Sequence, residues 1–148
     1  MTSCAGLGVG FQNYTCGADN TFTSVGAVAA MFDASCVFES TDIPALAFGL
    51  WNLAPDSVSA HDLDGVFPIG STFSLLGDHF FVKRDGVLSP TWDFSASQHS
   101  SEAVVETKKF QAVDDPTDKK QNVAWLQVEG VEGKLAVGGL RVRLAVRC

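Results

Sequence analysis

Four thiols, at Cys4, Cys16, Cys36 and Cys148, are the groups whose number and spacing most constrain the chemistry of this chain. An even count, with one cysteine near each end and two in the first quarter, reads as a framework of two disulfides. No pair has the two-residue separation of a zinc knuckle, so the pattern does not point to a structural metal. Disulfides persist in oxidising compartments, which predicts a secreted, extracellular domain. Four cysteines allow three pairings. Cys16–Cys36 with Cys4–Cys148 is favoured, because the first closes a compact local loop and the second ties the ends. A bond closing nearly the whole chain contributes about 4–5 kcal/mol in chain-entropy models when unstrained.

Other reactive side chains form no recognisable catalytic set, and no catalytic residue is expected. His61, His79 and His99 read as ordinary polar loop histidines. His61 has Asp62 and Asp64 beside it, but the run lacks the alternating oxygens and twelfth-position carboxylate of a calcium loop. Asp62/Asp64 and Asp114/Asp115 fall in turn-rich stretches, where no low-dielectric pocket would separate their pKa values. There is no G-x-S-x-G elbow to expose a serine. Gly6-Leu7-Gly8-Val9-Gly10 has the wrong glycine spacing for a dinucleotide fingerprint, and a strand-like segment follows it instead of a helix N-terminus. No cofactor is expected.

Three features are better suited to binding. Asn13-Tyr14-Thr15 is an N-glycosylation sequon, meaningful in a secreted eukaryotic protein. Trp51, Trp92 and Trp125 could each stack on a sugar, although a large aromatic is more often core; Trp92, at the start of a strand, is the one placed on a candidate ligand surface. In the last segment Leu140, Val142, Leu144 and Val146 alternate with Arg141, Arg143, Ala145 and Arg147. This period of two puts aliphatics on one face and three guanidinia on the other. The Arg141–Arg143–Arg147 stripe would be about 20 Å long. It is either a solvated face paired with carboxylates or a site for an anionic glycan or partner.

These residues must be carried by strands. Short apolar runs rich in Val, Phe, Thr and Ser are broken every 8–12 residues by turn residues, the pattern of an all-β sandwich or barrel. The predicted strands are Leu7–Thr15, Thr21–Phe32, Gly65–Ser74, His79–Lys83, Val87–Phe94, Ala103–Ala112, Val123–Glu129 and Lys134–Arg147. Asp19-Asn20 and Arg84-Asp85-Gly86 suit turns, the second a hairpin. One short helix is predicted at Ile43–Asn52, with Asp42 as N-cap and Pro44 early in its first turn. Asp114–Gln121 is predicted as an exposed loop. The 148 residues suit a single domain, spanning 1–148, with a sizeable core.

The net charge of −7 hides a split: Met1–Val82 holds eight carboxylates and no Lys or Arg, whereas Lys83–Cys148 holds ten basic and nine acidic residues. The acidic half lacks the basic footprint of a nucleic-acid binder. No apolar run approaches about 18 residues, so no membrane-spanning helix is expected. The start shows no basic and apolar leader, consistent with a signal peptide already removed.

Two segments, Leu7 to Cys16 (LGVGFQNYTC) and Ser24 to Cys36 (SVGAVAAMFDASC), resemble a family of secreted proteins of unknown function found in fungi and bacteria. The likeness continues through Gly77–Phe81, Ser89–Trp92, Val123–Val128 and Val137–Arg143. The chain departs from the family at its end, reaching Cys148 directly from Arg147 where relatives carry a Gly-Gly and Pro-rich tail. The resemblance implies a secreted fungal protein and carries over no catalytic residues. Some members are labelled malate dehydrogenase. That label does not suit this chain, since the usual enzyme needs a nucleotide-binding βαβ domain in about twice this length. The expected function is non-enzymatic binding of a carbohydrate or cell-surface receptor, lectin-like or immunomodulatory, with oligomers possible. The alternatives are a small secreted hydrolase with a site built from loops, and a wall-associated structural protein.

Overall fold

The computed structural model describes residues 5–35, 45, 52, 74–114, 124–133 and 141–144. The strands are β1 (Gly6–Cys16), β2 (Phe22–Asp33), β3 (Leu75–Arg84), β4 (Val87–Asp93), β5 (Val104–Val113), β6 (Trp125–Glu132) and β7 (Arg141–Leu144). One four-residue helix, α1 (Ser95–Gln98), follows β4. The protein is all-β, as its turn spacing predicts. The seven strands form one antiparallel sheet in the order β1-β2-β3-β4-β5-β6-β7. Each strand pairs with its neighbours in sequence, so the sheet follows chain order even across the long connection between β2 and β3. The expected sandwich or closed barrel is not what the described residues show: they contain no second sheet, and no ladder joins β1 to β7.

Local chemistry sets the turns. β3 and β4 meet at Asp85-Gly86, both with positive φ (50° and 83°), the geometry of a two-residue hairpin. Between β1 and β2 the Asp19 carboxylate accepts hydrogen bonds from the Thr21 backbone N–H and hydroxyl, while Asn20 takes a positive φ of 61°. Both turns stand where the sequence predicts them. The strand predicted to begin at His79 instead begins at Leu75, because Gly77 is not a turn residue. It sits in a bulged register opposite Met31, where any Cβ would overlap the Asp93 carbonyl oxygen. Helix α1 was not foreseen. Asp93 accepts the Ser95 N–H at 2.9 Å, and His99, in the left-handed region, ends the helix after one turn. Ala45 and Asn52 are helical, inside the predicted Ile43–Asn52 helix. The predicted strand Gly65–Ser74, apart from Ser74, most of the Asp114–Gln121 loop and most of Lys134–Arg147 lie outside the described residues.

The register builds rows across the sheet. Ala29, His79, Trp92 and Val105 stand opposite one another from β2 to β5. Met31, Trp92, Val105 and Val128 form the core on this inner face, with Leu76 and Phe94 packed against them. The opposite face carries a second row, Phe80, Thr91, Glu106 and Glu132, and it too is buried in part, through Leu7, Val9, Ala30, Phe32 and Thr91.

Candidate functional site

The end of the β1–β2 hairpin has the features of a binding surface. A bulge between Asn13 and Tyr14 leaves Val25 unopposed and resets the register, so that Tyr14 faces Ser24 and Cys16 faces Phe22. Alternation then brings Gln12, Tyr14, Ser24 and Phe22 to one face. The rings of Tyr14 and Phe22 are 50% and 73% exposed, so two aromatics on paired strands present themselves to solvent together. Beside them the Gln12 amide donates to Ser24 Oγ at 2.6 Å and to the Gly26 carbonyl at 2.7 Å, which fixes its orientation. Hydrogen bonds from Thr21 hold the nearby Asp19 carboxyl below the usual carboxylate range. Rigid apolar rings flanked by oriented polar groups can stack on a ring-shaped ligand and read its hydroxyls. Sequence reasoning did not single out Tyr14 or Phe22. Their positions on either side of the Asp19-Asn20 turn were the available signal, but the bulge decides which residues face each other.

Cys16 lies on the same face, exposed and with a free thiol. The expected Cys16–Cys36 bond is therefore not formed, and the register gives the reason. Cys16 and Phe22 close one end of an 11-residue strand whose other end pairs Gly6 with Asp33. That separates the two ends by roughly 33 Å. Cys36 is three residues beyond Asp33, a reach of about 10 Å, whereas a disulfide needs Cα atoms within about 7 Å. Cys4, Cys36 and Cys148 lie outside the described residues.

The inner row shows a different environment. His79 is in mid-strand and buried, which corrects its reading as a loop histidine. Its Nδ1 lies 2.9 Å from the Thr91 carbonyl, its ring stacks on Trp92 at 4.4 Å, and Phe81 meets it edge-on at 5.5 Å. Burial pushes the imidazole pKa down. Trp92 is 1% exposed, so it belongs to the core and not to a ligand surface. No acceptor engages its indole N–H among the described residues. His99 is exposed, as its loop reading implies, and His61 lies outside the described residues. Trp125 is half-buried to exposed opposite Val113, and Trp51 lies outside.

The opposite face carries the described ion pairs. Arg84 grips Glu106 through two nitrogens, with Nη2 to Oε1 at 2.6 Å and Nε at 3.0 and 3.1 Å, and reaches Glu132 at 3.9 Å. Lys108 pairs with Glu129 at 3.0 Å. In the β6–β7 ladder Arg141 stands opposite Glu129 and Arg143 opposite Gln127, while Val142 and Leu144 stand opposite Val128 and Leu126. Arg147 lies outside the described residues. Asn13 is exposed on β1, opposite Gly26. Asp78 and Asp93 also stand directly opposite each other, but the Asp93 carboxylate is engaged at the start of α1. Of the other carboxylate pairs, Asp62, Asp64 and Asp115 lie outside the described residues. Among the described residues no three His, Cys, Asp or Glu side chains are grouped to hold a metal, and no helix is long and apolar enough to cross a membrane.

No curated protein and no solved structure matches the chain. The model of one family, described as a protein of unknown function (DUF3455), matches residues 2–142. The protein belongs to that family, in agreement with the resemblance carried by its first 36 residues.

Proposed function

We propose that this is a secreted, fungal, non-enzymatic binding protein whose ligand is a carbohydrate, taken at the β1–β2 hairpin end in a lectin-like manner. The observation that carries the reading is the pair of exposed rings, Tyr14 and Phe22, on one face beside the hydrogen-bonded Gln12 and Ser24. Leaving two large aromatics in water costs hydrophobic free energy, roughly 1.5–3 kcal/mol for each ring that could have been buried. Stacking on a sugar recovers part of it. A cell-surface receptor met through its glycan would use the same groups, which is how an immunomodulatory role would arise. Export rests on the resemblance to a family of secreted proteins, because the free Cys16 thiol leaves room for at most one of the two expected disulfides within the chain.

Binding to a glycan array by the parent protein, with loss in the Tyr14→Ala/Phe22→Ala double variant, is the test. At least a tenfold loss is expected, equivalent to about 1.4 kcal/mol. Array binding that survives the double substitution would place the site elsewhere. Turnover of a generic hydrolase substrate would favour the small-hydrolase alternative, and an inert array with retention on cell-wall material would favour the structural one.

A further inference from the structure

Asn13, the first residue of the sequon, stands on β1. It is exposed, and no hydrogen bond engages its carboxamide among the described residues. The residue opposite it is Gly26, which brings no side chain of its own; the Phe81 side chain lies 3.6 Å from where a Cβ on Gly26 would stand. Alternation places Phe11 and Thr15 on the same face of β1 as Asn13, two residues to either side. Phe11 stands opposite Val28, and both are 44% exposed. An apolar patch therefore begins one step from the carboxamide nitrogen, on the face of β1 opposite to Tyr14.

We infer that Asn13 is an N-glycan acceptor, and that the first N-acetylglucosamine packs over Phe11 and Val28. In the step itself, Nδ2 of Asn13 forms a bond to the anomeric carbon of a lipid-diphosphate-linked oligosaccharide. The bond from that carbon to the diphosphate oxygen breaks. The lipid diphosphate leaves with the bonding pair, and the amide nitrogen gives up one proton to the transferase; no oxidant or reductant is involved. The Thr15 hydroxyl supplies the third position of the sequon. Once attached, the sugar ring offers its apolar face to the exposed part of Phe11 and Val28. The glycan projects from the face opposite Tyr14 and Phe22, and so leaves the proposed ligand surface open.

The inference rests on the export reading, so the test supplies export independently. The chain is secreted from a eukaryotic host behind that host's own signal peptide. Peptides are then treated with an amidase that releases N-glycans in heavy-oxygen water, which marks each formerly glycosylated Asn. The expected result is a mark at Asn13, absent from Asn13→Gln and from Thr15→Ala. Secreted, folded parent protein with an unmarked Asn13 would overturn the acceptor assignment. The packing claim is read from melting temperatures. Removing the glycan should lower Tm in the parent background and lower it less in Phe11→Ala and in Val28→Ala. An equal drop in all three would overturn the packing. Binding to the glycan array is expected to be unchanged in Asn13→Gln, so an inert array counts against the proposed function and leaves this result standing.

Discussion

His79 spends one ring nitrogen on the Thr91 carbonyl and lays its ring on Trp92, inside the sheet. Burial holds its pKa below the ordinary 6.5. Between that depressed value and 6.5 the unfolded chain binds a proton that the folded chain refuses, so stability rises with pH across this window. The contribution is complete above 6.5 and is lost progressively as the pH falls toward the folded value. Melting temperature should therefore drop as the pH is lowered from about 7 to about 5, and His79→Phe should flatten that drop. Curves of equal slope for parent and variant would show that His79 does not govern it. The charged residues behave differently. Arg84 is largely exposed, yet the carboxylate it grips is nearly buried, so the pair matters chiefly because Glu106 would otherwise be left alone.

At the scale of elements, the β3–β4 hairpin depends on two residues of positive φ. Nothing lies within 4 Å of where a Cβ on Gly86 would be, so its replacement meets no clash, only backbone strain. Gly86→Ala should cost about 1–2 kcal/mol, and Gly86→Asn less, because Asn tolerates this region; denaturant unfolding of the two variants measures the difference. The β1–β2 hairpin makes a separate prediction about the thiols. Peptide mapping without reductant should give no Cys16–Cys36 link. A Cys16–Cys36 peptide would mean that the two strands pair differently.

Across the whole molecule, the acidic first half and the mixed second half contribute strands to one sheet, and the described ion pairs lie on one face of it. Here the arginine stripe divides. Arg141 shares its row with Glu129, already paired to Lys108, whereas Arg143 faces the neutral Gln127. If the stripe meets anionic glycans, Arg143→Ala should weaken retention on heparin more than Arg141→Ala. If the period-two alternation leaves both guanidinia solvated, as the sequence predicts, each substitution should cost below about 1 kcal/mol of stability. Retention should also fall with added salt, since exposed charges are screened beyond about 10 Å at 0.1 M. Equal elution of both variants and the parent would remove the stripe from the binding account.

Period-two alternation, the Asp85-Gly86 and Asp19-Asn20 turns and the spacing of apolar runs are legible in the chain, because each depends on a residue and its near neighbours. Those signals suffice for an all-β protein and for the approximate limits of β1, β2, β4, β5 and β6. They do not reach the features that depend on partners distant in sequence. Gly77 lies outside the predicted His79–Lys83 strand, yet it pairs with Met31 and the Asp93 carbonyl stands where its Cβ would be; His79 looks like a loop residue until Trp92 closes over it. Cys16 and Cys36 look adjacent because they are near in sequence, yet the long antiparallel hairpin sets Cys16 at the end of the ladder away from Asp33. Tyr14 and Phe22 look unrelated until one extra residue, Val25, shifts the register and sets both rings on the same face. Strand pairing converts sequence separation into spatial separation by a rule that a single bulge can change, so these positions were decided only when the strands had paired.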